Sequence, residues 1–290
     1  MSDVVLSAEH LSKTFAVGFF RKKVRAVEDL SLEVRRGEIF GFLGPNGAGK
    51  TTTIKMLMGL IFPTSGSGHV LGKPIGNIES KRRLGFLPET PYFYDYLTPE
   101  EFLDLAGALA DVPKAARKKR ADELIERVGL GHARGRALRK FSKGMLQRVG
   151  IAQALMHEPE LVVLDEPMTG LDPIGRKEMR DLILELRKEG KTIFFSTHIL
   201  SDVELICDRV GIVVGGRIRD VGKLSELLSP RLLGTEVVLK NGAGEKAHSL
   251  AADADVDAFV KEALARGEHL VSVTPRRESL EDLFVRESRK

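Results

Sequence analysis

Gly44, Gly49, Lys50 and Thr51 occupy the fixed positions of G-x-x-x-x-G-K-[ST] within Gly44-Pro45-Asn46-Gly47-Ala48-Gly49-Lys50-Thr51-Thr52. Those residue types at that spacing form a cradle for a polyanion. The glycines let the backbone turn so that successive N–H groups face inward. A helix starting behind the loop adds unpaired donors and a partial positive charge. Lys50 is spaced to reach the β- and γ-phosphates of a nucleotide, and the Thr51 hydroxyl to hold Mg²⁺. The flanks agree: Glu38 to Leu43 reads as a short buried strand, and Ile54, Leu57 and Met58 fall at helical spacing. Strand, glycine loop and helix together imply a nucleotide site.

A second group of chemical residues follows other apolar runs. Leu161-Val162-Val163-Leu164 has the unbroken character of a parallel strand covered on both faces, and it delivers Asp165-Glu166-Pro167. In a nucleotide-binding fold the loops at the carboxyl ends of parallel strands face the ligand. Gly44, Glu89, Asp165 and His198 each follow such a strand and are expected to converge. Asp165 is placed to bind Mg²⁺ through water, and Glu166 to polarise the water that attacks the γ-phosphate. His198 is a candidate hydrogen-bond partner of that phosphate. Phe15, ahead of the phosphate loop, is a candidate to stack on adenine. Phe19 and Phe20 are rivals for that role, and Phe15 could equally close a small core.

The elements that must position these groups follow from pattern. Val4 to Ser7 and Val27 to Val34 read as strands with a basic loop between them, and Val70-Leu71 and Leu84 to Leu87 as further short strands. Thr98-Pro99-Glu100-Glu101 predicts a helix start with Thr98 at the N-cap, and Ser142 is placed to cap a later helix. A second helix is expected from Lys114 to Val128, ended by Gly129. These helices form an insertion of about 90–157 between two sheet strands. Asp172-Pro173 opens a helix over Ile174 to Glu189, Thr192 to Phe195 is a buried strand, and Val210 to Arg219 a hairpin. The expected fold class is α/β, with a mainly parallel sheet, an antiparallel β-subdomain, an inserted helical subdomain and a small C-terminal α+β domain. The first domain is assigned to 1–221 and a ββαβα tail to 222–290, its last helix at Leu280 to Val285.

Composition narrows the classes. The chain has 290 residues, 42% hydrophobic, with a formal charge of +4. Its longest apolar runs are a few residues, against roughly 18 for a membrane span. The N-terminus shows no charged and apolar secretory signal, and Cys207 is alone, as suits a reducing cytoplasm. Basic clusters at Arg21 to Arg25, Lys114 to Arg120 and Arg134 to Lys143 read as solvated faces, with anionic lipid or nucleic acid as the alternative. The tail carries nearly equal numbers of acids and bases and is not a nucleic-acid arm.

Across about Val4 to Arg219 the sequence resembles the ATP-binding-cassette ATPases. The resemblance rests on GPNGAGKTT at 44–52, LGFLPE at 84–89, FSKGMLQR at 141–148, LVVLDEP at 161–167, GLDP at 170–173 and STH at 196–198. It implies ATP and Mg²⁺ as cofactors, with Lys50, Glu166 and His198 catalytic. It also implies that Ser142, Gly144 and Met145 cap the γ-phosphate of ATP held by a second subunit, and that Asp172 belongs to the loop joining the two sites. One phosphate loop and one signature segment per chain then require two copies, most simply a C₂ homodimer around two ATP molecules. The sequence departs from the common pattern in three places. Phe141, Lys143 and Met145 replace the usual Leu, first Gly and Gln of the signature. Glu89 stands where Gln is usual; it can still ligate Mg²⁺ but adds charge near a polyanion. Phe15 stands where Tyr is common.

The motif variants and the appended tail resemble the ATPases of bacterial ABC-2-type exporters. That resemblance implies a separate integral-membrane permease, a cytoplasmic position on the inner face of the cell membrane, and no nucleic-acid partner. The alternative is a soluble cassette acting on ribosomes or DNA, for which the paired cassettes or long coiled coils of those proteins are missing. A non-hydrolysing regulatory module is disfavoured by the presence of Lys50, Asp165, Glu166 and His198. The aromatic connector Thr90 to Leu97, with Tyr92, Phe93, Tyr94 and Tyr96, is a candidate contact for the membrane partner, local packing being the other reading.

Overall fold

A computed structural model describes residues 3–18, 21–227, 232–242, 244–277, 282 and 286. Its contacts divide the chain into two units, between Lys223 and Leu224. The larger unit begins with β1 (Val4–Val17), β2 (Lys22–Arg35) and β3 (Ile39–Leu43), followed by α1 (Lys50–Leu57), β4 (Ser65–Val70), β5 (Lys73–Pro74), α2 (Ile78–Lys81) and β6 (Leu84–Leu87). A helical block follows: α3 (Pro99–Leu109), α4 (Lys114–Arg127) and α5 (Lys143–Leu155). The unit ends with β7 (Leu161–Asp165), α6 (Pro173–Lys188), β8 (Thr192–Thr197), α7 (Leu200–Ile206), β9 (Arg209–Val214) and β10 (Arg217–Gly222).

The central sheet has the order β10-β9-β3-β8-β7-β6, parallel except for β10. Side chains alternate across it as a pleated strand requires. Leu161 and Val163 of β7 join the core formed with β1, β2 and α1, while Val162 and Leu164 join the core of the helical block. Phe194 of β8 stacks on Phe40 at 5.7 Å and lies 5.4 Å from Phe42, both on β3. Apolar side chains on both faces explain why these strands read as unbroken hydrophobic runs.

An antiparallel sheet of order β2-β1-β4-β5 covers one side. Its two long strands differ from the short ones expected. The basic stretch from Lys22 is strand rather than loop, paired with β1 from Val17↔Lys22 to Thr14↔Arg25. This end of the ribbon is exposed, so no burial pattern marks it in the sequence. Likewise β4 consists of Ser65-Gly66-Ser67-Gly68-His69-Val70, and its pairing with Leu6 to Ser12 of β1 overrides weak local propensity.

Helix starts follow side-chain chemistry. Thr98 and Glu101 form a reciprocal capping box, the Thr98 N–H donating to Glu101 Oε2 at 2.8 Å. Ser142 caps α5 and Asp172 caps α6, with Pro173 in the first turn.

The smaller unit contains α8 (Leu224–Leu227), β11 (Leu232–Asn241), β12 (Gly244–Ala251), α9 (Val256–Ala265) and β13 (His269–Arg277). Its antiparallel sheet has the order β12-β11-β13, with Val237, Leu239 and Ala263 at the centre of a small core. The helix expected over Leu280 to Val285 lies outside the described residues, Asp282 apart.

Phe194 joins two strands that carry site residues, and truncating a buried Phe costs about 3–5 kcal/mol. Phe194→Ala is therefore expected to lower the melting temperature by roughly 10 °C for a unit of this size. Calorimetry checks this; a shift under about 3 °C would show that the Phe40–Phe194–Phe42 stack is not a principal support of the sheet.

Candidate functional site

The loop between β3 and α1 is pressed between its neighbours. A Cβ on Gly44 would lie 2.5 Å from the Val213 carbonyl oxygen. Gly49 adopts φ +98°, and a Cβ there would run into the carbonyl oxygen of Ala26. Only glycine satisfies both demands. Gly44 N–H donates to the Thr197 carbonyl at 3.1 Å, tying the loop to the end of β8. Gly49 is the N-cap of α1 and offers no side chain to its first turn, which also lacks an acid. The turn therefore presents donors and positive potential toward the loop. Lys50 folds back along it, its Nζ donating to the Gly44 carbonyl at 2.8 Å and the Pro45 carbonyl at 3.2 Å.

The acids arrive from β7. Asp165 pairs in register with Ser196 of β8, and the Ser196 hydroxyl donates to Asp165 Oδ1 at 2.6 Å while accepting the Glu166 N–H at 3.0 Å. One serine thus fixes both residues. Glu166 Oε2 accepts from the Thr169 hydroxyl at 2.9 Å and lies 2.9 Å from His198 Nδ1. Its Oε1 lies 3.1 Å from Lys50 Nζ, both side chains being only 6% exposed. The Lys50 ammonium thus faces three oxygens, the two loop carbonyls and Glu166 Oε1.

These surroundings push the two carboxyls in opposite directions. Burial works to raise the pKa of Glu166, but the charge of Lys50 and the Thr169 and His198 contacts outweigh it and hold the group below the ordinary glutamate value. Burial raises Asp165 above the ordinary aspartate value; bonds from Ser196 and Thr51 oppose this, and the charges of Glu89 and Glu166 add to it. The base candidate is paired with a cation, while its neighbour is met by hydroxyl donors alone.

The sequence-predicted residues gather in two separate clefts. Asn46 to Thr52, Glu89 and Glu166 line the first, a space of about 280 Å³ closed on one side by Ala26 of β2. Ser142, Gly144, Met145 and Asp172 line a second cleft of about 410 Å³. There the Ser142 Oγ accepts from Met145 N–H at 3.3 Å, and Asp172 Oδ1 from Gly175 N–H at 2.9 Å. The starts of α5 and α6 thus open into one space. Phe15 lines neither cleft; it is half-buried on β1, with the Lys13 ammonium 5.2 Å from its ring centre. Its rivals Phe19 and Phe20 lie outside the described residues.

Thr51, Asp165 and Glu89 supply hard oxygen donors of the kind Mg²⁺ takes. Among the described residues no cluster of His, Cys, Asp and Glu is sufficient to hold a metal unaided. The set fits an ion completed by phosphate oxygens and water.

Ser196, Thr169 and Ala26 are the residues that sequence reasoning missed. Ser196 stands in Ser196-Thr197-His198 and was visible only as a neighbour of His198. A hydroxyl three residues after Glu166 is the signal that could have pointed to Thr169. Nothing local marks Ala26, whose place depends on the β1–β2 pairing.

Residues 27–169 match the family profile described as ABC transporter. The chain is 46% identical to an uncharacterized ABC transporter ATP-binding protein of Synechocystis, across 99% of this chain and 85% of that protein. It is 50% identical to the bacitracin transport ATP-binding protein BcrA of Bacillus licheniformis, across 67% of this chain and 63% of the relative. A solved ATP-binding subunit of an ABC transporter superposes with a TM-score of 0.68 at 35% identity, covering 77% of this chain and 91% of that one.

Asp165→Asn keeps an acceptor for Ser196 and removes the disfavoured charge. The folded pKa of Asp165 lies above the unfolded one, so ionisation costs stability at neutral pH and the cost vanishes below the ordinary aspartate range. The nucleotide-free variant is expected to melt higher than the parent at about pH 7, by about 2–4 °C per kcal/mol relieved. The gap should close as pH falls toward about 3. Calorimetry over that range checks it, and an equal or lower melting temperature at neutral pH contradicts it.

Proposed function

We propose that this chain, which belongs to the ABC transporter family of ATP-binding proteins, is the ATPase of an ABC-2-type exporter and works as a C₂ dimer closed on two Mg-ATP. The observation that carries the reading is the separation of the two clefts on one chain. The phosphate loop presents its N–H donors and the Lys50 ammonium to one cleft, and the Ser142–Met145 helix start faces a different space. A second copy, placed so that its Ser142 side covers the first copy's phosphate loop, completes two equivalent sites.

Each residue then has a task. Free N–H groups of the loop between Asn46 and Thr52 and the Lys50 ammonium hold the phosphates, while Phe15, which lies outside the phosphate cleft itself, stacks on the adenine. Thr51, Asp165 and Glu89 would hold Mg²⁺, which when bound neutralises charge on the β- and γ-phosphate oxygens. The γ-phosphate competes with Glu166 for Lys50. As that ion pair loosens, Glu166 loses its largest stabilising charge and its proton affinity rises toward that of a working base. Thr169 and His198 keep Oε2 fixed, which leaves Oε1 to take a proton from the attacking water. His198 is exposed enough to contact the γ-phosphate as well. Ser142, Gly144 and Met145 of the second copy close the far side, and Asp172 links one site to the other.

No helix among the described residues is long and apolar enough to cross a membrane, so the reading assigns the spans to a separate permease. Its docking place in this reading follows Glu89 directly. Tyr92, Tyr94 and Leu109, with Leu109 79% exposed and Tyr92 94%, border an apolar groove of about 400 Å³ beside Phe86 and Phe102. A helix of the permease seated there would sense the γ-phosphate through Glu89 and hold the chain at the inner face of the cell membrane. Export is supported by the bacitracin transport function of the Bacillus relative.

Glu166→Gln tests the assignment. With ATP it is expected to form a stable dimer in light scattering and to hydrolyse at least ~100-fold more slowly than the parent. A variant that stays monomeric with ATP and keeps most of its activity would falsify both the composite site and the base.

A further inference from the structure

Lys143 is the first residue of α5, set between the capping Ser142 and Gly144. A cation at this end of a helix opposes the dipole. Nothing local offsets it: the first turn has no acid, and Lys143 makes no hydrogen bond or ion pair among the described residues. Arg148, one turn further along, is by contrast engaged by Glu178 and the Val128 carbonyl. The Lys143 stem is nevertheless held in place. It lies across Gly170, which has φ +77° and where a Cβ would come within 2.7 Å of Nζ and 3.0 Å of Cδ. The ammonium is thereby kept at the cleft that Ser142, Gly144 and Asp172 share.

The phosphate-loop cleft shows the opposite imbalance. Glu89, Asp165 and Glu166 bring three carboxylates together, with Lys50 as the cation facing them; burial raises Asp165, and the charges of Glu89 and Glu166 add to it. One face of the chain sets three carboxylates against a single lysine, and another presents a lysine without an ion-pair partner among the described residues.

We propose that Lys143 is a γ-phosphate ligand acting in trans, its ammonium reaching the terminal phosphate of ATP held on the phosphate loop of a second copy. This rests on the composite dimer described above and adds to it a specific ion contact. Lys143 balances the charge that Glu89 introduces and makes dimer closure sensitive to the third phosphate, because ADP offers nothing at that distance. It is a binding residue for the closed state and contributes nothing to the first capture of nucleotide by one chain.

The test uses the full chain carrying Glu166→Gln, so that ATP persists, with dimer formation followed by light scattering as ATP is titrated. Lys143→Met keeps a stem over Gly170 without the charge, and Lys143→Arg keeps the charge. Met is expected to raise the ATP concentration at half-dimerisation by about tenfold, the scale of one charge-assisted hydrogen bond, and to flatten the salt dependence. Arg is expected to restore most of both. ATP binding by dilute monomer should be unchanged, and the melting temperature of the Met variant should equal or exceed the parent's. Dimerisation of the Met variant at parental ATP concentrations overturns the proposal. So does a loss shared by Met and Arg together with a lower melting temperature, which would make Lys143 a structural tether to Gly170. Failure of the Glu166→Gln chain itself to dimerise with ATP sinks the composite dimer as well, and is distinguished because it precedes any change at Lys143.

Discussion

The nucleotide-free site is organised by one buried ion pair, Lys50 with Glu166. Neither charge would be stable alone at that depth, and each is held by further bonds, Lys50 by two loop carbonyls and Glu166 by Thr169. The pair spans the two halves of the machinery, since Lys50 opens the helix after β3 and Glu166 follows β7. Between those strands lies β8, which bonds to both sides: Thr197 accepts from Gly44, and Ser196 holds Asp165 and Glu166. The order β3-β8-β7 in the sheet therefore brings a phosphate loop and a pair of acids within one ion-pair distance. A γ-phosphate entering this arrangement meets a lysine already engaged by a carboxylate. In the proposed mechanism, binding and activation of the base are then the same exchange of partners.

The second cleft follows a different logic. Both helices opening into it are capped by their own residues, Ser142 on α5 and Asp172 on α6. A side chain that satisfies one N–H leaves neighbouring donors of the first turn free. The cleft thus sets helix-start donors beside apolar side chains such as Leu130, Met145 and Leu171. In the proposed dimer this surface meets a nucleotide carried by the other copy.

The sheet and its loops were legible because strand β7, buried on both faces, leaves an unbroken run of Leu and Val, and because Gly44, Gly49, Lys50 and Thr51 have few other uses at that spacing. Thr98 and Ser142 were legible as caps since their hydroxyls act within three residues. What failed to show was non-local. The Lys22 end of β2 and the glycine-rich β4 are strands only because β1 lies beside them. Helix α7 is seven residues long and turns on Asp202, which is buried through its pairing with Arg180; a buried acid reads in sequence as an exposed one. Ser196 escaped for a related reason, because its two bonds reach across the sheet to residues about thirty positions earlier.

The backbone at Glu166 shows how the sheet accommodates two acids in one site. In a continuing strand, successive side chains point to opposite faces. Asp165 and Glu166 would then be separated by the sheet itself. Glu166 instead adopts φ +51°, a conformation that costs a non-glycine residue about 1–3 kcal/mol. The chain leaves the strand there, and Pro167 prevents the ladder from continuing. The cost is offset locally, since the Glu166 N–H, removed from the ladder, is taken up by Ser196 Oγ and its carboxylate by Lys50, Thr169 and His198. Strain at this residue is what allows Asp165 to remain beside Thr51 while Glu166 reaches Lys50. The two acids can hold different environments, and hence opposite pKa displacements, only because the strand ends between them.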